Sequence, residues 1–335
     1  MRNLQTAIRI LCSSILLTMA AASGAQAQAW LTFDVDGSDS VSPTAMIAGN
    51  TIVGYYRNSG STYTSFARTS DGTLSTFDLI DNGSTSAVSA NKHGDIAGSV
   101  SGSSGSQAFL RTADGKATLF SVNGAINTDA TGINDKGWIA GEYTDPSTSK
   151  LMGYIRKPNG NVETFTAPDG SDVTVKAIND SNTVIGTYGT HGYIRDNQGN
   201  ITTLRITATS IVPTAINKSG VVTGYFIDSS GKAHGFIRPV DGGSTKGFNP
   251  PGSIGVLSVT GINDANIVIG WIKDAQNVPH SYALKDATFA TLNAPQGVNG
   301  TVLTAIGPDG KMTGYYYDAQ KTAHAVRANA AVTGF

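Results

Sequence analysis

Cysteine is all but missing from this chain: Cys12 is the only one among 335 residues. It lies within an N-terminal segment of the export type, so the remainder is predicted to contain no disulfide and no thiolate metal ligand. Charge is scarce as well. Charged residues make up 14%, with 23 basic against 24 acidic, and no basic run occurs. That excludes the dense positive footprint of a nucleic-acid binder. Beyond the N-terminus no apolar stretch approaches the roughly 20 residues of a membrane span. Helical periodicity is missing between the turn signals. Three catalytic signatures are also missing: the Gly-x-Ser-x-Gly elbow, His-Glu-x-x-His and the phosphate loop.

Residues 1–27 have the form of a signal peptide. Arg2 and Arg9 supply the positive region, Ile10 to Ala22 carries no charge, and Ala25-Gln26-Ala27 is a small-x-small cleavage site. Cleavage after Ala27 leaves 308 residues with 21 basic and 24 acidic side chains. A chain of that size buries about three quarters of its unfolded surface and needs no cross-link to hold a core. The expectation is a secreted protein, extracellular or periplasmic, with no membrane span in the mature chain.

What the chain does have is glycine, 40 residues of it, set in a phrase that recurs seven times. The clearest copy is Gly132-Ile-Asn-Asp-Lys-Gly-Trp-Ile-Ala-Gly141. Aligned on the last glycine, the copies fall at Gly54, Gly98, Gly141, Gly186, Gly224, Gly270 and Gly314, at intervals of 44, 43, 45, 38, 46 and 44. Asparagine follows the first apolar residue in five copies, as Asn91, Asn134, Asn179, Asn217 and Asn263; Ile47 and Gly307 replace it in the first and last. Asn134-Asp-Lys-Gly137 is a hairpin turn signal, with the asparagine capping its own backbone and glycine taking positive φ.

Each copy adds a strand of the His234-Gly-Phe-Ile-Arg238 type and one of the Leu74-Ser-Thr-Phe77 type. Four short antiparallel strands per 43-residue period predict a propeller blade, and seven blades stacked in a ring bury what one blade cannot. The predicted fold is thus an all-β, seven-bladed β-propeller over residues 28–335. Its last blade lacks a fourth strand, which the N-terminal segment Ala29–Asp34 supplies. Phe33 precedes Met46 by 13 residues, the spacing from Phe77 to Ala90 and from Phe120 to Ile133. Ala331–Phe335 is the competing segment for that place.

These phrases resemble the HAF repeat of extracellular bacterial proteins, named for a His-Ala-Phe-like triplet after the Gly-Ile-Asn-x-x-Gly phrase. Here the triplet appears as His191-Gly-Tyr193, His234-Gly-Phe236, His280-Ser-Tyr282 and His324-Ala-Val326, while Thr64, Gln107 and Met152 take the histidine position in the first three copies. The resemblance implies secretion and a repeat β fold, and brings no reaction or ligand.

Candidate functional residues are those where the copies disagree. Tyr55, Tyr225, Trp271 and Tyr315 directly follow the closing glycine; such rings could stack on sugar faces or pack between blades. Glu142 holds the same position in the third copy and is the one catalytic candidate, as one of a pair of dispersed carboxylates, or else a solvated surface acid. The aligned histidines are expected to be structural imidazoles bonding backbone at blade junctions, and no metal or cofactor site is assigned. The resulting expectation is a monomeric, non-enzymatic binding or cell-surface interaction module whose candidate partners are a glycan or a cell-surface protein. The alternatives are a polysaccharide hydrolase or lyase, and a purely structural envelope protein. Connections between second and third strands, and links between copies such as Asn249–Gly255, vary in length and would share one face, where function usually sits.

Overall fold

The computed structural model describes residues 30–58, 60–239 and 242–328; residues 1–27, expected to be a signal peptide, and Ala331–Phe335 lie outside them. Seven four-stranded antiparallel sheets stand in a ring, six in simple meander order and the seventh completed by the N-terminal strand. The third blade is typical, with strands Thr128–Ile133, Ile139–Thr144, Leu151–Arg156 and Val162–Phe165. First strands of successive blades contact one another and encircle the axis. Among the described residues the only helical element is one short 3-10 turn, Ala48–Asn50. The seven-bladed expectation holds.

The hairpin turns form as their sequence dictates. Gly137 has φ +76° and its N–H donates to Asn134 O at 3.0 Å. Asn134 Oδ1 accepts the N–H groups of Lys136 and Trp138, both at 3.0 Å. In the fourth and sixth copies Asn182 and Asn266 take the left-handed position instead, at φ 60° and 59°, which asparagine tolerates.

The closing glycine has a different cause. At Gly141 a Cβ would lie 2.0 Å from Asp129 O and 2.7 Å from Tyr154 Cε1. The same clash with the inner-strand carbonyl recurs at Gly54, Gly98, Gly186, Gly224, Gly270 and Gly314. At this level every inner strand carries a register shift, and in the first six blades a third-strand aromatic lies over the glycine.

The core sits between blades, not within them. Ala97 and Ala108 of the second blade share one apolar cluster with Ile133, Ile139 and Tyr154 of the third. Outer-strand phenylalanines of several blades wedge into the next blade: Phe77 meets Phe109 edge-on at 6.2 Å, and the Arg111 guanidinium lies 4.6 Å from the Phe77 centroid. Phe120 repeats this with Tyr154 and Arg156, and Phe165 with Tyr193 and Arg195.

Phe33 does the same toward Phe66, at 6.2 Å, and Arg68, at 4.8 Å. Trp30–Phe33 pairs antiparallel with Ala323–Ala328, so the N-terminal strand is the outer strand of the seventh blade. The register of Phe33 therefore identified the closing strand correctly.

Phe33 is 8% exposed, and loss of a buried phenylalanine costs about 3–5 kcal/mol. Phe33→Ala is expected to lower the urea unfolding midpoint clearly, and removal of residues 28–36 to prevent cooperative unfolding. Unchanged unfolding of either variant would refute closure by this strand.

Candidate functional site

The two faces of the ring differ in kind. On the face of the Asn-x-x-Gly turns, the axis opens into a cavity of about 310 Å³. Met46, Ala90, Ile133, Ile178, Ile216, Ile262 and Ile306 line it, one from each blade, below a rim that includes Lys92, Asp135, Asp180, Lys218 and Asp264. The asparagines do more than cap their turns. Each side-chain N–H crosses to the next blade: Asn91 Nδ2 donates to Asn134 O at 3.3 Å, Asn134 to Asn179 O at 2.8 Å, Asn179 to Asn217 O at 3.1 Å, and Asn217 to Asn263 O at 3.2 Å. Asn263 Nδ2, the next in line, is buried without a partner.

The rim charges neutralise one another. Lys218 Nζ reaches Asp135 at 2.9 Å and Asp180 at 3.6 Å, and Lys92 Nζ lies 3.7 Å from Asp135. Burial alone would raise the Asp135 carboxyl, but the Lys218 hydrogen bond, the Lys92 N–H and both ammonium charges hold it below the usual carboxylate range. Apart from Asn263 Nδ2, this face satisfies its own polar groups and closes the ring.

The opposite face carries the uneven loops. Between blades six and seven it holds a groove of about 490 Å³ lined by Trp271, Lys273, Gln276, Asn277, Val278, Pro279, Asn299, Val302, Tyr315, Tyr317 and Lys321. Trp271 and Lys273 are alternate residues of strand Val268–Lys273, and Tyr315 and Tyr317 of strand Met312–Tyr317, so each pair shares a sheet face. The Tyr315 and Tyr317 rings meet edge-on at 5.5 Å. Burial pushes the Tyr315 hydroxyl above the ordinary phenol value, and Tyr317 and Tyr55 are near enough to add to it. Across the closing seam Tyr55 packs edge-on against Tyr63 at 5.2 Å. The groove wall is tied down: Asn299 N donates to Tyr317 O, Tyr317 N to Gly300 O, and Asn299 Nδ2 to Asp318 O at 2.6 Å.

Of the four aromatic candidates, Trp271 and Tyr315 meet in this groove and Tyr55 borders Tyr315. Tyr225 does not join them; it packs on the Leu257, Val259 and Tyr282 cluster between blades five and six. Sequence reasoning missed Tyr317, Lys273 and Lys321. The period-two step from Tyr315 to Tyr317 was readable, whereas the lysines join only when two blades face each other.

Glu142 is placed by packing. Its Oε2 accepts the Val175 N–H of the next blade at 3.0 Å. That N–H sits at the inner-strand register shift. The equivalent N–H groups of Ala87 and Leu303 are met by the third-strand hydroxyls of Ser65 and Ser281, but the third blade has Gly153 there. In the second blade Ser99, aligned with Glu142, serves Ala130 N. Burial raises the Glu142 carboxyl above its ordinary value, against the Val175 hydrogen bond; Asp129 is its cross-strand partner.

Glu142→Ala strands the Val175 N–H at a cost of about 1–3 kcal/mol, whereas Glu142→Gln keeps an acceptor in place. Chemical denaturation should show the first loss and little change for the second; equal losses would refute this role.

Of the four aligned histidines, His234, His280 and His324 bond side chains of their own blade rather than backbone at blade junctions. His234 Nε2 meets Asp228 at 2.9 Å and Nδ1 meets Asn249 at 2.8 Å. His280 lies between Asp274 and Asn293, and His324 between Asp318 and Asp34. Each imidazole thus ties its blade's outer hairpin to the link after the outer strand. In earlier copies Thr64 donates to Asp78 and Gln107 to Ser121, holding the same link. His191, after a shorter hairpin, rests against Tyr188 at 5.4 Å.

Asp228 raises the His234 imidazole above its ordinary value, and Asp34 does so for His324. The protonated forms therefore stabilise the fold, fully below about pH 6.5 and less as pH climbs through the raised values. The gap in melting temperature between the unmodified protein and a His234→Gln/His324→Gln variant should be widest near about pH 5–6 and narrow by about pH 9. A gap that is constant or grows with pH would contradict this.

No protein-family model and no curated protein matches this sequence. Among solved structures, a streptogramin B lyase superposes with TM-score 0.60 at 12% identity, covering 89% of this chain and 96% of that one. Virginiamycin B lyase from Staphylococcus aureus gives TM-score 0.62 at 10% identity, covering 90% and 99%. The β-propeller domain of the Trilobed protease from Pyrococcus furiosus gives 0.62 at 11% identity, covering 87% and 96%. At such identities the likeness is one of fold: this chain shares the ring of blades with lyases and peptidase domains alike.

Proposed function

We propose that this chain is an exported, non-enzymatic binding module of the HAF-repeat kind, whose ligand is a carbohydrate held in the groove between blades six and seven. The observation that carries the reading is the convergence of Trp271, Tyr315 and Tyr317 on the variable-loop face. Flat aromatic rings beside amide groups suit the apolar faces and hydroxyl edges of sugars. The volume lies within the range of about 300–1,000 Å³ typical of small-ligand sites.

The hydrolase or lyase alternative draws on Glu142 and its cross-strand partner Asp129. Glu142 already serves Val175, and at the axial mouth Asp135 and Asp180 are paired with Lys92 and Lys218. Level with the closing glycines, the residues that step out of register on the inner strands are Thr44, Val88, Thr131, Lys176, Thr214, Thr260 and Thr304, none of them acidic; Asp39 does so only at the start of the first inner strand. The lyase neighbours lend this chain a fold, not a reaction.

A glycan array followed by calorimetry tests the proposal. At least one oligosaccharide should bind, with Trp271→Ala weakening it about tenfold or more, equivalent to about 1.4 kcal/mol, and Tyr225→Ala leaving affinity unchanged. Retention of full affinity by Trp271→Ala, or the lack of any bound glycan, would overturn it.

A further inference from the structure

We infer that this groove selects anionic saccharides, bearing uronate or sulfate groups, over neutral ones. The inference rests on the carbohydrate reading above and adds the charge of the ligand. Lys273 and Lys321 both line the groove, and no aspartate or glutamate does. This is unusual for a chain in which acids outnumber bases.

The contrast with the other face is instructive. There Lys92 and Lys218 are neutralised by Asp135 and Asp180. Among the described residues, Lys273 and Lys321 have no carboxylate partner within ion-pair distance. The acids nearest them in sequence are engaged elsewhere. Asp274 accepts the Gln276 and Val278 N–H groups and pairs with His280. Asp318 accepts the Gln320 and Thr322 N–H groups and pairs with His324. The histidines of the repeat thus draw both carboxylates onto their own hairpins, and the groove keeps its positive charge.

Stacking and charge are supplied by the same elements. Trp271 and Lys273 project from one strand face, and Lys321 stands on the hairpin that follows Tyr315 and Tyr317. A sugar ring lying on the aromatics presents its carboxylate or sulfate at the ring edge, within the sweep of a flexible lysine stem. Asn299, its amide N–H already given to Asp318 O, offers an oxygen to a sugar hydroxyl.

The test compares an oligogalacturonate hexamer with its fully methyl-esterified form, which keeps the sugar and removes the charge. By calorimetry at low salt the acid should bind about tenfold tighter, the sum expected of two part-exposed ion pairs, with the advantage shrinking as salt rises. Lys273→Gln and Lys321→Gln should each lower affinity for the acid while leaving the ester unchanged, with unfolding temperatures confirming an intact fold. Equal affinity for acid and ester, together with loss of both in Trp271→Ala, would overturn the charge selectivity and leave the carbohydrate reading standing. Polyglutamate binding as tightly as the acid hexamer would overturn saccharide selection. Failure of acid, ester and every neutral glycan to bind would overturn both.

Discussion

A four-stranded blade has two apolar faces and no means of covering either, so everything in this molecule depends on the wedge between neighbours. The outer-strand phenylalanine of one blade enters between a third-strand aromatic and an arginine of the next. The contact combines aromatic burial with a cation–π interaction of about 0.5–2 kcal/mol, and Phe33, Phe77, Phe120 and Phe165 all make it. Nearer the axis, hydroxyls and amides do the same service for polar groups. Thr44 donates to Ala87 O, Thr260 to Leu303 O and Thr304 to Pro43 O, so the seam between the last and first blades is bonded like the others.

That repetition made the fold legible. Seven glycines at near-constant spacing, hairpin turns with asparagine caps and the 13-residue interval before Met46 specify blades and closing strand through local rules alone. What was not legible depends on which blade faces which. The Asn134 side chain announces a turn cap, but its bond to Asn179 O spans 45 residues. Glu142 looks anomalous in its copy until Gly153 and Val175 are brought beside it. Trp271 and Tyr315 could be picked out as unusual; that they share a groove with Lys321 is a fact of the ring.

The division of labour between faces follows from loop length. The turns around the axis are short and nearly uniform, and all but the Asn263 amide of their asparagine side chains bond the next blade. The hairpins on the other face are free to differ, and the Asp–His pairs of the last three copies hold them rigid without occupying the groove surface. Rigid walls with variable linings are what a recognition site needs. The histidine of the repeat belongs to the frame behind those walls.

The closing strand has a consequence for how the chain comes to be folded. Thr32 bonds Tyr316 across 284 positions and Asp34 meets His324 across 290. Trp30–Phe33 must therefore wait, unpaired, until Ala323–Ala328 has been made. Contacts of such sequence separation form late and slowly, and an unpaired strand is an invitation to another molecule's edge. Four residues, Trp30–Phe33, keep that edge short, so the clasp that completes the ring exposes little to a wrong partner while it waits.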